Sequence, residues 1–83
     1  MFELTGQTAI VTGAAQGIGE AIAVRLSKAG ARIAVADCNL QAAEAVANSL
    51  GGDSFPIYTD VSSAESVRKA VEETLQRSGQ IHI

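Results

Sequence analysis

Residues 12–23 read TGAAQGIGEAIA, with Gly13, Gly17 and Gly19 falling within seven residues just ahead of a run that suits a helix. Glycine weakens regular structure, so a cluster at such a junction needs a reason in backbone geometry. Upstream, Thr8 to Thr12 (TAIVT) is a short β-branched apolar run. It suits a strand buried on both faces of a parallel sheet. Downstream, Ile22, Leu26 and Ala29 recur at helical spacing, and Gly30 is a natural stop.

The same alternation continues along the chain. Arg32 to Asp37 (RIAVAD) reads as a second strand. Asn39 can cap a second helix with Leu40, Ala43, Val46, Ala47 and Leu50 on its apolar face, closed by Gly51 and Gly52. Residues 54–59 (SFPIYT) read as a third strand, and Pro56, which lacks an amide proton, puts it at a sheet edge. Ser62 and Glu65 have capping-box spacing before a third helix carrying Val67, Ala70, Val71 and Leu75, ended by Gly79. Residues 81–83 (IHI) look like the start of a fourth strand. The pattern β-α-β-α-β-α-β predicts an α/β, Rossmann-type, doubly wound parallel sheet, N-terminal half only, with strand order 3-2-1-4. Residues 1–83 then form one incomplete dinucleotide-binding domain.

That architecture gives the glycines distinct tasks. Gly13 turns the backbone sharply after the first strand. Gly17 removes a Cβ where the chain meets a pyrophosphate, and Gly19 lets the helix lie close to the sheet. Amides from Gln16 to Gly19 then face an anion at the positive end of a helix dipole. Asp37 closes the second strand 18 residues after Gly19, near the distance expected of the carboxylate that binds ribose hydroxyls. Its charge repels a 2′-phosphate, and neither Gln16 nor Cys38 supplies a compensating cation. NAD is therefore expected over NADP.

Composition narrows the alternatives. Net charge is −3, with 47% hydrophobic and 18% charged residues and no basic run, so nucleic acid and anionic membranes are poor partners. The N-terminal MFELTGQTAIV has no basic n-region, and no apolar run approaches a membrane span. The single cysteine allows no internal disulfide and fits a reducing, cytoplasmic setting. Cys38 reads as a bystander. His82 reads as a packing or surface residue, and the Arg68, Lys69, Glu72 and Glu73 group as a solvated helix face.

The glycine spacing is T-G-x-x-x-G-I-G (Thr12, Gly13, Gly17, Ile18, Gly19), not G-x-G-x-x-G. In this the chain resembles the short-chain dehydrogenase/reductase family, as it does in DVSS after the third strand and in SGQIHI before the fourth. The resemblance spans the whole chain. It implies that the Asp60 side chain and the Val61 backbone grip the adenine ring, with a local helix-start or turn acid as the less favoured reading of Asp60. It also implies a homo-oligomer, dimer or tetramer, and hydride transfer between a nicotinamide and a carbonyl or alcohol. The family's serine and Tyr-x-x-x-Lys pair are missing: the only tyrosine is Tyr58, followed four residues later by Ser62. The expectation is therefore the cofactor-binding part of a longer oxidoreductase, inactive alone, with no catalytic residue of its own. The alternatives are a stand-alone nucleotide-binding module and another doubly wound protein such as an S-adenosylmethionine methyltransferase. The Thr12-Gly13 start and the GIG run argue against the last.

Overall fold

The computed structural model describes residues 3–83. In chain order it contains β1 (Thr8–Thr12), α1 (Gly17–Lys28), β2 (Arg32–Asp37), α2 (Leu40–Leu50), β3 (Phe55–Tyr58) and α3 (Ala64–Ser78). The strands form one parallel sheet in the order β1-β2-β3. Thr8 to Thr12 pair with Arg32 to Ala36, and Ala34 to Asp37 pair with Phe55 to Tyr58. β2 is central, and its Ile33, Ala34, Val35 and Ala36 are fully buried, as a strand covered on both faces requires.

Strand alternation divides the core into two layers. Ala9, Val11, Ile33 and Val35 pack with Ala23 of α1 and with Ala43, Val46 and Ala47 of α2. On the opposite face Ala34, Phe55 and Ile57 pack with Ala70 of α3, with Ile10 alongside. The third helix thus crosses to the other side of the sheet, as the sequence pattern predicts. Pro56 lies on an outer strand, where its missing amide is tolerated. Asn39 caps α2, its side chain accepting from the Ala42 amide at 3.0 Å.

The structure differs from the sequence reading in four places. The strand order is three-membered, and residues 81–83 form no strand. They are nonetheless tied to β1: the His82 and Ile83 amides donate to the Thr8 carbonyl at 2.8 and 3.2 Å, and the Ile10 amide donates to the Ile83 carbonyl at 3.0 Å. Three residues offer too few bonds for a ladder. The cap of α3 is Ser63, not Ser62: the Ser63 hydroxyl accepts from the Ser66 amide at 3.2 Å, while Ser62 is already committed to Asp60. On α1 the sheet-facing residues are the buried Ala23 and the half-buried Leu26, and Ile22 is exposed on another face of the helix. On α3, Thr74 replaces Leu75 in the core; its hydroxyl donates to the Ala70 carbonyl at 2.8 Å, so nothing polar is left unpaired.

Candidate functional site

At the carboxyl ends of the three strands lies an open cleft of about 450 Å³ lined by Gly13, Gln16, Gly17, Asp37, Cys38, Thr59, Asp60 and Val61. This is where ligands sit in open α/β sheets. A hollow of about 500 Å³ opens at the opposite end, beside Gln7, Thr8, Arg32 and Ser54. It is larger, but the Arg32 guanidinium there is spent on the Asp53 and Arg77 carbonyls, at 2.8 and 3.3 Å. The carboxyl-end cleft is therefore the candidate site.

The glycines shape its floor. Gly13 and Gly17 have φ of +65° and +63°, a left-handed backbone that other residues adopt only under strain. A Cβ at either would meet nothing within 4 Å, so the backbone presents an open face where a side chain would otherwise protrude. Gly19 serves another purpose. A Cβ there would lie 2.7 Å from the Gly13 carbonyl carbon, and closer still to its oxygen, so the first turn of α1 rests directly on the turn after β1.

Unlike α2 and α3, α1 has no side-chain cap; its N-cap residue is Gln16, in an extended conformation. The first intrahelical bond runs from the Glu20 amide to the Gln16 carbonyl at 3.3 Å. The amides of Gly17, Ile18 and Gly19 have no protein acceptor among the described residues. Such amides, with the positive end of a helix dipole behind them, suit an anion.

Asp37 stands beside this turn. Its Oδ1 accepts from the Asn39 amide at 2.9 Å and its Oδ2 from the Ala15 amide at 3.1 Å. The Asn39 amide chiefly holds the carboxyl below the ordinary carboxylate value; partial burial opposes it, and the Ala15 amide and Cys38 add to the lowering. A carboxylate offers about four lone-pair sites, so roughly two remain for further donors. A vicinal diol supplies two. Asp60 is more locally engaged. Its Oδ1 accepts from the Ser62 hydroxyl at 2.7 Å and the Ser62 amide at 3.0 Å, and the hydroxyl is the main cause of its lowered pKa. The Asp60 amide donates to Ser66 Oγ at 2.8 Å, whereas the Val61 amide has no protein acceptor among the described residues.

The cleft therefore brings together Gly13, Gln16, Gly17, Asp37, Asp60 and Val61. Ile18 and Gly19 do not line it: Ile18 is 81% exposed on the first turn of α1, and Gly19 lies beneath, against Gly13. Two lining residues escaped the sequence reading. Thr59 is buried and its amide donates to the Asp37 carbonyl at 3.0 Å, a tertiary bond with no sequence signal. Cys38 lines the cleft simply by following Asp37. Tyr58 belongs to a separate hollow with Ser63, Glu65, Ser66 and Lys69. No helix among the described residues is long and apolar enough to cross a membrane, and no group of acidic, histidine or cysteine side chains among them is arranged to hold a metal.

Known proteins resemble this chain in sequence and fold. The family model described as short chain dehydrogenase matches residues 7–83. A sorbitol dehydrogenase of Cereibacter sphaeroides is 45% identical over 80 residues, covering 96% of this chain and 31% of that protein. The crystal structure of a hydroxysteroid dehydrogenase from Escherichia coli matches with a TM-score of 0.92 at 33% identity, covering 95% of this chain and 34% of that one. A 3-ketoacyl-(acyl-carrier-protein) reductase from Brucella melitensis, complexed with NADH, matches with a TM-score of 0.90 at 35% identity, covering 95% and 33%. The chain thus spans about a third of the length of these relatives. With nearly its whole length accounted for by one family's model, the chain belongs to the short-chain dehydrogenase family.

Proposed function

We propose that the carboxyl-end cleft binds the adenosine diphosphate half of NAD, and binds NAD in preference to NADP. The observation that carries this reading is Asp37, a carboxylate with spare acceptor capacity that lines the same cleft as the turn of Gly13 and Gly17. The free amides of Gly17, Ile18 and Gly19 hold the pyrophosphate, Asp37 takes the ribose hydroxyls, and the Val61 amide with the open oxygen of Asp60 meets the adenine. Gln16 borders the phosphates. The absence of a Cβ at Gly13 and Gly17 fits a ligand that approaches the backbone closely. A 2′-phosphate would set its charge against Asp37 with no cation lining the cleft to offset it.

In a protein of its relatives' length, this region supplies the cofactor site for hydride transfer between a nicotinamide and a carbonyl or alcohol. The nicotinamide provides the reactive carbon. Residues 81–83 then begin a fourth strand beside β1, giving the order 3-2-1-4. In support, the Ile83 amide bonds to Thr8 and the Ile83 carbonyl to Ile10, flanking Ala9 as a parallel neighbour does.

Calorimetric titration of the chain with NAD and NADP tests the reading. NAD is expected to bind about tenfold tighter or more, a difference of about 1.4 kcal/mol. Asp37→Ala should weaken NAD and narrow the gap. Equal binding of both nucleotides by the unmodified chain would remove the preference, and no binding of either would remove the site.

A further inference from the structure

The turn between β1 and α1 contains two glycines in left-handed conformation, so its own backbone does little to hold it still. Two bonds tie it to the end of β2. The Ala14 amide donates to the Ala36 carbonyl at 3.3 Å, and the Ala15 amide donates to Asp37 Oδ2 at 3.1 Å. The other oxygen of the same carboxylate takes the Asn39 amide at 2.9 Å, at the cap of α2. The Asp37 carboxylate therefore spans the glycine turn and the start of the second helix before any ligand arrives.

We propose that Asp37 is a positioning residue for the glycine turn as well as the ribose acceptor, so that one carboxylate couples the diol end of the cofactor site to its phosphate end. This rests on the reading of the cleft as a dinucleotide site. The Ala15 amide is spent on this strut, which leaves the phosphates to the amides of residues 17–19. Without the carboxylate, the Ala15 amide loses its acceptor and the turn must be ordered again each time a phosphate binds.

The coupling predicts an effect opposite in sign to simple electrostatics. An NAD analogue lacking both hydroxyls on its adenosine ribose cannot use Asp37 as a diol acceptor. If Asp37 were only a diol acceptor, Asp37→Ala would leave this analogue unaffected, or bind it tighter by removing a negative charge near its pyrophosphate. As a strut, its removal weakens the analogue about tenfold, the scale of one hydrogen bond to a charged group. Asp37→Asn has one acceptor oxygen for the Ala15 and Asn39 amides and sets its NH2 against the other, so it recovers the analogue at most in part, while NAD itself stays weakened.

The experiment is titration of the analogue and of NAD against the unmodified chain, Asp37→Ala and Asp37→Asn, with amide exchange of Ala15 measured against Val35 in the unliganded forms. Expected are weaker analogue binding and faster Ala15 exchange in Asp37→Ala, both reversed at most in part in Asp37→Asn. Unchanged or tighter analogue binding in Asp37→Ala overturns the proposal, whatever the exchange rate does. If the unmodified chain binds neither ligand, the cofactor reading fails, and Ala15 exchange alone decides whether the strut exists. If Asp37→Ala does not fold, Asp37→Ser takes its place, its short hydroxyl serving the Asn39 amide two residues on rather than Ala15. Ala15 must then exchange faster relative to Val35, and an unchanged ratio overturns the strut.

Discussion

The Thr8 amide donates to His82 Nδ1 at 3.0 Å, joining the first residue of β1 to a side chain 74 positions later. A ring that accepts at Nδ1 carries its proton at Nε2, and Nε2 lies 2.8 Å from Gln80 Oε1. With the His82 and Ile83 amides bonded to the Thr8 carbonyl, both backbone groups of Thr8 are satisfied from the C-terminal segment. His82→Phe removes the acceptor and should speed exchange of the Thr8 amide about fivefold relative to Val35, the effect of about 1 kcal/mol. His82→Asn should recover part of the loss. Identical Thr8 exchange in all three proteins would mean that the histidine is not the acceptor.

The glycines separate by two substitutions. Gly19→Ala forces a methyl into the Gly13 carbonyl and should destabilise the fold by about 1–3 kcal/mol, as overpacking does. Gly17→Ala meets no atom, so its cost is left-handed strain of about 1–2 kcal/mol. Urea denaturation measures both. Nucleotide titration separates them further: the Gly17 methyl should weaken NAD in a chain that still folds.

Phe55 is buried, with the Arg32 and Arg77 guanidinium carbons 5.0 and 4.9 Å from its ring centroid. Phe55→Leu keeps an apolar group but loses the ring face, which should cost about 1–2 kcal/mol. In Arg32→Met the same change should cost less, and a double-mutant cycle from thermal melts reads the difference. Strict additivity would show that Arg32 takes nothing from the ring.

Acid should weaken the fold through Asp37 and Asp60, whose carboxyls are held below their ordinary 3.8 by the Asn39 amide and the Ser62 hydroxyl respectively. As the pH falls through that value, the unfolded chain binds protons before the folded one does. The stability these bonds contribute is complete above about 3.8 and is lost as the pH drops through the lower folded values. Urea midpoints measured from neutral pH into acid should fall in this window, and Asp37→Asn should flatten the fall. A slope unchanged by Asp37→Asn would mean that its carboxyl titrates alike folded and unfolded.

The sequence disclosed what depends on local backbone demands. The bounds of β1 and β2, the Asn39 cap and the T-G-x-x-x-G-I-G turn were all readable from residue type and spacing along the chain. Tertiary choices were less legible. Ser62 and Ser63 are equally good caps until Asp60 claims the first. Ile22 looks like core by spacing, but Ala23 and Leu26 take the sheet-facing positions of α1. Thr74 looks polar until its hydroxyl turns back to Ala70. Within the cleft, the glycines and Asp37 were readable from spacing, whereas the Ala15 and Thr59 amides reach Asp37 only through the pairing of strands.

The two layers of the core are unequal. Among the described residues, the cluster beneath α1 and α2 has ten buried residues, against four on the α3 side. Cooperativity need not be uniform across such a molecule, and the lightly packed element opens first. Detachment of α3 carries away the Ser66 hydroxyl that fixes the Asp60 amide, and with it one wall of the cleft, while the glycine turn stays in place on the heavier layer. Under the proposed reading, a nucleotide bridging both walls would act as a latch, mass action protecting α3 from local unfolding.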